Sequence, residues 1–178
     1  MRKSYQIAVI GSVAEDDKSA SLRQAEIVGQ EIAKIGGVLL TGIGEGVLSA
    51  VLKGFRDHGG QVAMGFSPMD SYKTHLEKFG DEVDKYDAVC FNSGGYFVRS
   101  LPLIFSADAV IAISGRIGTL EEIAIAVGHH KPLGILSGSK GIIDHVEAII
   151  DHAGYDSTNN IYDSDPVDLV QRVVGKIN

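Results

Sequence analysis

The chain has 178 residues, 44% of them hydrophobic, which suits one domain with a proper core and argues against a disordered protein. A formal net charge of -7 argues against a general binder of nucleic acid polymers, because binding to a phosphate backbone depends on an excess of Lys and Arg. The single cysteine, Cys90, excludes an intrachain disulfide framework. No apolar run approaches the roughly 20 residues of a membrane span, and no signal-peptide pattern opens the chain, so we expect a cytoplasmic protein.

Short continuous apolar runs alternate with segments of helical periodicity along the whole chain. The predicted strands are residues 5–11, 38–40, 61–66, 88–92, 108–113, 132–136 and 159–162. The predicted helices are residues 19–35, 47–57, 96–102, 120–127 and 140–152, followed by a closing helix that starts at Asp165 and Pro166. Strands that alternate with helices in this way are typical of a parallel sheet covered on both faces. The predicted fold class is therefore α/β, a single doubly wound Rossmann-like sandwich with right-handed crossovers.

Three segments are less regular. Residues 12–17 are predicted to form a polar loop whose acidic side chains are candidates for a helix cap. Residues 67–85 are rich in charge and turn formers, which predicts a long surface loop with room for a short helix. Pro102 is predicted to start, bend or interrupt the helix in which it lies.

One glycine-containing turn, Ser114-Gly115-Arg116-Ile117-Gly118, joins a buried strand to a helix. Free N–H groups at the helix start and the helix dipole favour an anion there. Gly115 and Gly118 let the main chain approach a ligand without an intervening Cβ. Arg116 either adds positive charge to this site or points to solvent. The turn is therefore a candidate phosphate site.

Thr119 and Glu122, just after this turn, have two interpretations. Their spacing fits a capping box, in which Thr119 caps the helix and Glu122 bonds back to the cap. Alternatively, Glu122 is an acid/base group beside a bound phosphate. The second interpretation needs other loops that converge on the same place.

Four loops that contain glycine follow predicted strands. In doubly wound sheets, ligands bind beyond the carboxyl ends of the strands, near the point where strand order reverses. A role in ending helices cannot explain glycines that come after strands and before helices, so these loops favour a ligand site. The loops are Gly11-Ser12-Val13, residues 41–46 with Gly42, Gly44 and Gly46, residues 92–95, and the turn that contains Gly115 and Gly118.

Two side chains of the helix at residues 96–102 are further candidates. Arg99 is placed either to clamp a phosphate or to orient Glu122. The alternative interpretation is that Arg99 is an ordinary surface arginine without a role in a site. Tyr96 either stacks on a base or packs on the helix face.

The sequence predicts no cofactor and no metal site. The first loop lacks the spaced glycines of dinucleotide binding, and no Walker A lysine is present. The six histidines form no cluster with the usual ligand spacing. No lysine in a loop at the carboxyl edge of the sheet has an acidic partner, so pyridoxal phosphate is not expected.

Two motifs resemble those of the LOG family, whose members were long mislabelled as lysine decarboxylases. Residues 42–48, Gly-Ile-Gly-Glu-Gly-Val-Leu, resemble its first glycine motif, and residues 115–122, Gly-Arg-Ile-Gly-Thr-Leu-Glu-Glu, resemble its Pro-Gly-Gly-x-Gly-Thr-x-x-Glu motif. The resemblance implies a Rossmann-like homodimer whose domain, residues 1–178, binds a nucleoside 5′-monophosphate. Characterised members are phosphoribohydrolases that cleave the N-glycosidic bond of cytokinin nucleotides or AMP-like substrates, releasing free base and ribose 5-phosphate.

The resemblance also implies roles for single residues. Glu122 and Arg99 match the catalytic Glu and Arg of the family, and Gly115, Gly118 and Thr119 match its phosphate-holding turn.

The chain departs from the family pattern at several positions. Ser114 replaces the proline of the motif, Arg116 replaces its second glycine and Thr41 replaces a leading glycine. In the Met-x-x-Arg-Lys signature, Tyr96 stands for the methionine and Ser100 for the lysine. These departures indicate a divergent branch near the molybdenum-cofactor carrier proteins. The alternative function is thus a non-catalytic carrier or sensor of a nucleotide or of the molybdenum cofactor.

Overall fold

A seven-stranded sheet forms the centre of the protein. The computed structural model describes residues 4–13 and 20–177, so most of the predicted acidic cap segment at residues 12–17 lies outside the described residues. All neighbouring strands pair in parallel, in the order β4-β3-β2-β1-β5-β6-β7. The strands are β1 (Gln6–Gly11), β2 (Val38–Gly42), β3 (Ala63–Ser67), β4 (Ala88–Phe91), β5 (Ala109–Ile113), β6 (Leu133–Leu136) and β7 (Asn160–Asp163).

Helices connect successive strands and cover both faces of the sheet. They are α1 (Ala20–Lys34), α2 (Val47–Asp57), α3 (Tyr72–Phe79), α4 (Gly95–Ser106), α5 (Ile117–Gly128), α6 (Ile143–His152) and α7 (Pro166–Val174), with a short 3-10 helix at Asp81–Lys85. None of the helices in the described part of the chain is long and apolar enough to cross a bilayer.

The alternating side chains of β1 divide the core into two layers. Ile7 and Val9 join a cluster made with α1, α2 and α7, whereas Ala8 and Ile10 join a second cluster made with α4, α5 and α6. Because both faces are covered, β1 is apolar at almost every position, which is why it was recognisable as a buried strand. The arrangement confirms the predicted α/β, doubly wound, Rossmann-like fold class.

The least regular stretch of the sequence, predicted as a long surface loop with room for a short helix, contains α3 and a 3-10 helix. Ser71 begins α3 through a capping box with Thr74, and the 3-10 helix at Asp81–Lys85 follows Gly80 directly. Helix α4 runs past Pro102 to Ser106, so the proline lies within the helix. At the end of the chain, Asp165 accepts hydrogen bonds from the N–H groups of Val167 and Asp168, which confirms it as a cap.

Two glycines let α1 and α2 approach each other more closely than side chains would allow. A Cβ at Gly54 would lie 1.9 Å from the carbonyl oxygen of Glu26, and one at Gly29 would lie 2.0 Å from that of Val51. Neither obstacle is a flexible side chain, since both are backbone atoms. The close contact between α1 and α2 therefore requires glycine at both positions.

We predict that Gly54→Ala destabilises the protein by about 1–3 kcal/mol, because the added methyl forces two helix backbones apart. The control is Gly128→Ala in α5, where no atom lies within 4 Å of the added Cβ. There the greater helix propensity of alanine leaves the free energy of unfolding unchanged or raises it by up to about 1 kcal/mol. Urea denaturation of the three proteins measures both effects, and equal stability of the two variants would contradict the close crossing.

Candidate active site

A cavity of about 290 Å³ opens at the carboxyl edge of the sheet, between the ends of β1 and β2 and the helices α4 and α5. This is where strand order reverses, because β2 lies on one side of β1 and β5 on the other. Nine of the residues singled out in the sequence line the cavity: Gly11, Ser12, Gly42, Tyr96, Arg99, Arg116, Gly118, Thr119 and Glu122.

Arg99 and Glu122 form a buried ion pair in the wall of the cavity. Nη1 of Arg99 lies 3.1 Å from Oε1 of Glu122, and the two side chains are only 11% and 7% exposed. The alternative of a surface arginine is therefore wrong. Gly42 makes room for the guanidinium, since a Cβ there would lie 2.5 Å from Nη1.

Burial of the Glu122 carboxyl raises its pKa to about 7, although the Arg99 guanidinium opposes this rise. The charge of Glu121 raises the pKa of Glu122 further, whereas a hydrogen bond from Ser100 lowers it. A carboxyl group that titrates near neutral pH can accept or donate a proton under the same conditions, which is the property that acid/base catalysis requires.

Sequence reasoning missed two polar side chains of this cavity. Oγ of Ser100 lies 3.0 Å from Oε2 of Glu121 and 3.5 Å from Oε1 of Glu122. Burial raises the pKa of Glu121 as well, while the Ser100 hydrogen bond and Arg99 lower it. The loss of the family's lysine at position 100 was a visible signal, but the contact of one hydroxyl with two carboxyl groups depends on how α4 packs on α5.

Helix α5 begins one turn earlier than the sequence indicated. It starts at Ile117 with Arg116 at the cap position, and no side chain caps it. Thr119 therefore lies inside the first turn, and the predicted capping role of Thr119 is wrong. Since Glu122 is paired with Arg99, its side chain serves the cavity. The first intrahelical hydrogen bond runs from the N–H of Leu120 to the carbonyl of Arg116. The N–H groups of the three preceding residues therefore make no hydrogen bond within the helix.

Gly115 shapes the turn before α5 but does not line the cavity. Its φ of +108° suits glycine, and a Cβ there would lie 2.3 Å from Oγ1 of Thr119. The loop after β6 stabilises this turn through two hydrogen bonds. The N–H of Ser114 donates to Oγ of Ser139 over 2.8 Å, and the N–H of Ile142 donates to the carbonyl of Gly115 over 2.9 Å.

Gly44 and Gly46 also lie outside the cavity lining. A Cβ at Gly46 would lie 2.6 Å from the carbonyl oxygen of Ser12, and the N–H of Val47 donates to that same oxygen over 2.9 Å. These glycines bring the loop after β2 against the loop after β1. Among Gly42, Gly44 and Gly46, only Gly42, the last residue of β2, lines the cavity.

The remaining candidates lie at the mouth of the cavity. Arg116 is exposed, and Tyr96 is 54% exposed with its ring edge-on to Phe79 at a centroid distance of 6.2 Å. Within residues 4–13 and 20–177, no group of three His, Cys, Asp or Glu is placed to hold a metal ion.

Comparison with known proteins gives two relatives above 30% identity. A protein of Archaeoglobus fulgidus without an assigned function is 32% identical over 129 residues, which are 72% of this chain and 78% of that one. A probable cytokinin riboside 5′-monophosphate phosphoribohydrolase of Oryza sativa subsp. japonica is 31% identical over 144 residues, which are 76% of this chain and 55% of that protein.

Among solved structures, the molybdenum cofactor binding protein of Rippkaea orientalis has the same fold. It superposes with a TM-score of 0.81, covers all of both chains and is 24% identical. This likeness supports the fold class. The model of the SLOG cluster4 family matches residues 4–170, nearly the whole chain. The resemblance drawn from the two glycine motifs is thereby confirmed, and the chain belongs to the SLOG cluster4 family of LOG-like proteins.

Proposed function

We propose that the protein binds a nucleoside 5′-monophosphate in this cavity and hydrolyses its N-glycosidic bond, releasing free base and ribose 5-phosphate. The observation that carries the proposal is the buried Arg99–Glu122 pair, which lies beside the open start of α5. A similarity of 31% to the probable phosphoribohydrolase of Oryza sativa supports the substrate class. We further propose that residues 1–178 act as one cytoplasmic nucleotide-binding domain without a cofactor and without affinity for nucleic acid polymers.

The 5′-phosphate binds at the start of α5 in this proposal. The N–H groups of Ile117, Gly118 and Thr119 precede the helical ladder, and the helix dipole favours an anion there. The exposed side chain of Arg116 adds positive charge at the same end of the helix. Binding energy from the phosphate, remote from the reacting bond, then holds the ribose in place for reaction.

The ribose lies over the Arg99–Glu122 pair, where glycosidic cleavage develops positive charge on the sugar. An ionised Glu122 carboxylate stabilises this oxocarbenium-like state and takes a proton from the attacking water. Arg99 fixes the position of that carboxylate through its ion pair. The base extends toward the mouth of the cavity, where the exposed ring of Tyr96 offers a stacking surface.

A second candidate is a non-catalytic carrier or sensor. The relative from Rippkaea orientalis is named for binding the molybdenum cofactor, and its fold matches this chain over its full length. The same helix start would hold the phosphate of either ligand. The two candidates differ in turnover, which a single experiment decides.

We expect wild-type protein to release free base from at least one of AMP, GMP and cytokinin riboside monophosphates, measured by chromatography. Glu122→Gln lowers the rate about 100-fold or more, because the variant cannot accept a proton. Glu77→Gln, which changes an exposed glutamate of α3, is the control and keeps the wild-type rate. Tight binding of a nucleotide without any product establishes the carrier instead, and equal rates for Glu122→Gln and wild type contradict the assigned role.

The raised pKa of Glu122 also makes a prediction about stability. Because the folded state holds this proton more tightly than the unfolded state, stability is full below about pH 4.5 and falls as pH rises toward the folded pKa of about 7. Glu122→Gln removes this dependence. Relative to wild type, we therefore expect the variant to gain on the order of 3 kcal/mol between about pH 4 and about pH 8. Denaturation at both pH values measures the difference, and a constant difference would count against a shifted carboxyl.

We also propose that the protein forms a homodimer, as the family resemblance implies, through the exposed face of α4. Phe97, Leu101 and Phe105 are four residues apart and are 59%, 41% and 49% exposed. They form an apolar stripe along one side of the helix, which begins at the cavity mouth with Phe97. Such a stripe can pack against its own copy across a two-fold axis.

We expect light scattering after gel filtration to give twice the mass of one chain for wild type. Leu101→Glu places a charge in the centre of the stripe and yields the mass of one chain. Ile149→Glu, on an exposed position of α6, is the matched control and leaves the mass doubled. A single-chain mass for wild type would contradict the homodimer. A dimer that survives Leu101→Glu would show that the contact does not involve the stripe on α4.

A further inference from the structure

We infer that Glu121 and Glu122 share one proton through the hydroxyl of Ser100, and that Glu121 delivers this proton to the departing base. This inference rests on the proposed hydrolysis and adds a general acid to it. It assigns roles to Glu121 and Ser100, two residues of the cavity wall that the ion pair alone does not explain.

Hydrogen-bond counting around Ser100 supports a shared proton. Its Oγ lies 3.1 Å from the carbonyl oxygen of Tyr96, 3.0 Å from Oε2 of Glu121 and 3.5 Å from Oε1 of Glu122. A hydroxyl donates one hydrogen, and all three neighbours only accept when both carboxyl groups are ionised. A proton on either carboxyl group reduces this conflict, because that group then donates to a lone pair of Oγ and leaves two acceptors, not three, for the hydroxyl hydrogen.

The charges around the two carboxyl groups also support a shared proton. From α4, Arg99 and the phenol of Tyr96 face the cavity, and from the start of α5 the exposed Arg116 does. The loops after β1 and β2 contribute Gly11, Ser12 and Gly42, none of which carries a charge. Among the described residues, Arg99 is thus the one buried cation beside two carboxyl groups.

Burial affects both carboxyl groups in the same direction. It raises the pKa of Glu121 and that of Glu122, and the charge of Glu121 is itself a cause of the rise at Glu122. Two carboxyl groups that repel each other in a partly dry site retain one proton between them at a pH where isolated carboxyl groups are ionised.

The proton moves in a closed cycle during hydrolysis. The carboxyl O–H of Glu121 protonates a nitrogen of the base as the C1′–N bond breaks and its electron pair moves onto the base. Water adds to C1′ and gives one proton to the Glu122 carboxylate, so that ribose 5-phosphate keeps the new hydroxyl. The Ser100 hydroxyl then passes that proton from Glu122 back to Glu121. One water is consumed, and the protein returns to its starting state.

Infrared spectroscopy tests the shared proton without any substrate. At about pH 7 the wild-type protein shows the carbonyl band of a protonated carboxylic acid. Glu121→Gln removes the negative charge beside Glu122, which lowers the pKa of Glu122, so the band disappears at a lower pH than in wild type. Glu77→Gln, the exposed control, keeps the band. No band in wild type, or a band that disappears at the same pH in Glu121→Gln as in wild type, overturns the shared proton.

Comparison of two leaving groups tests the delivery of the proton. AMP needs protonation of its base, whereas the 4-nitrophenyl riboside 5-phosphate releases a stable anion without it. We expect Glu121→Gln to lower the ratio of the two rates, AMP over nitrophenyl compound, about 100-fold. Ser100→Ala, the milder change, lowers it about 10-fold by interrupting the relay.

The two proposals fail in different ways. An unchanged rate ratio in both variants, with AMP still hydrolysed, overturns the role of Glu121 and leaves the proposed hydrolysis standing. Absence of hydrolysis of every nucleotide by wild type overturns the proposed function and the delivery with it. In that case the infrared band still decides whether the carboxyl pair holds a proton.

Discussion

The ion pair between Arg99 and Glu122 is the interaction on which the candidate site depends. Burying both charges is costly, and each would be more costly alone, so the pair persists only because its partners face each other across 3.1 Å. Three separate parts of the chain make this possible. Helix α4 supplies the guanidinium, α5 supplies the carboxylate, and Gly42 at the end of β2 leaves space for the arginine. Any change that moves one of these elements therefore alters the protonation of Glu122.

The architecture of the sheet was readable from the sequence, since strands covered on both faces contain little except apolar residues. The apolar runs that became β1 and β5 show this clearly, as every position of β5 is buried. The boundaries of α5 were harder. Gly118 and Thr119 resemble a turn followed by a cap, yet the backbone is already helical at Ile117 because the anchored turn at Ser114 and Gly115 sets the direction of the chain.

The candidate site was only partly predictable, for a physical reason. A glycine after a strand permits the close approach of a ligand or of another piece of backbone, and the sequence signal is the same in both cases. Gly46 turned out to face the carbonyl of Ser12, whereas Gly42 faces the side chain of Arg99. The contacts of Ser100 with Glu121 and Glu122 depend on the packing of α4 against α5, which no local pattern contains.

The position of β1 in the sheet has a consequence for biosynthesis. Strands β1 to β4 are complete once the ribosome has made Phe91, but β1 pairs on its other side with β5, where Ile7 meets Ala109, a separation of roughly 100 residues. The cavity lies along this seam. Its two walls therefore come from the early and the late part of translation, and the cavity is complete only after α5 has left the exit tunnel and docked.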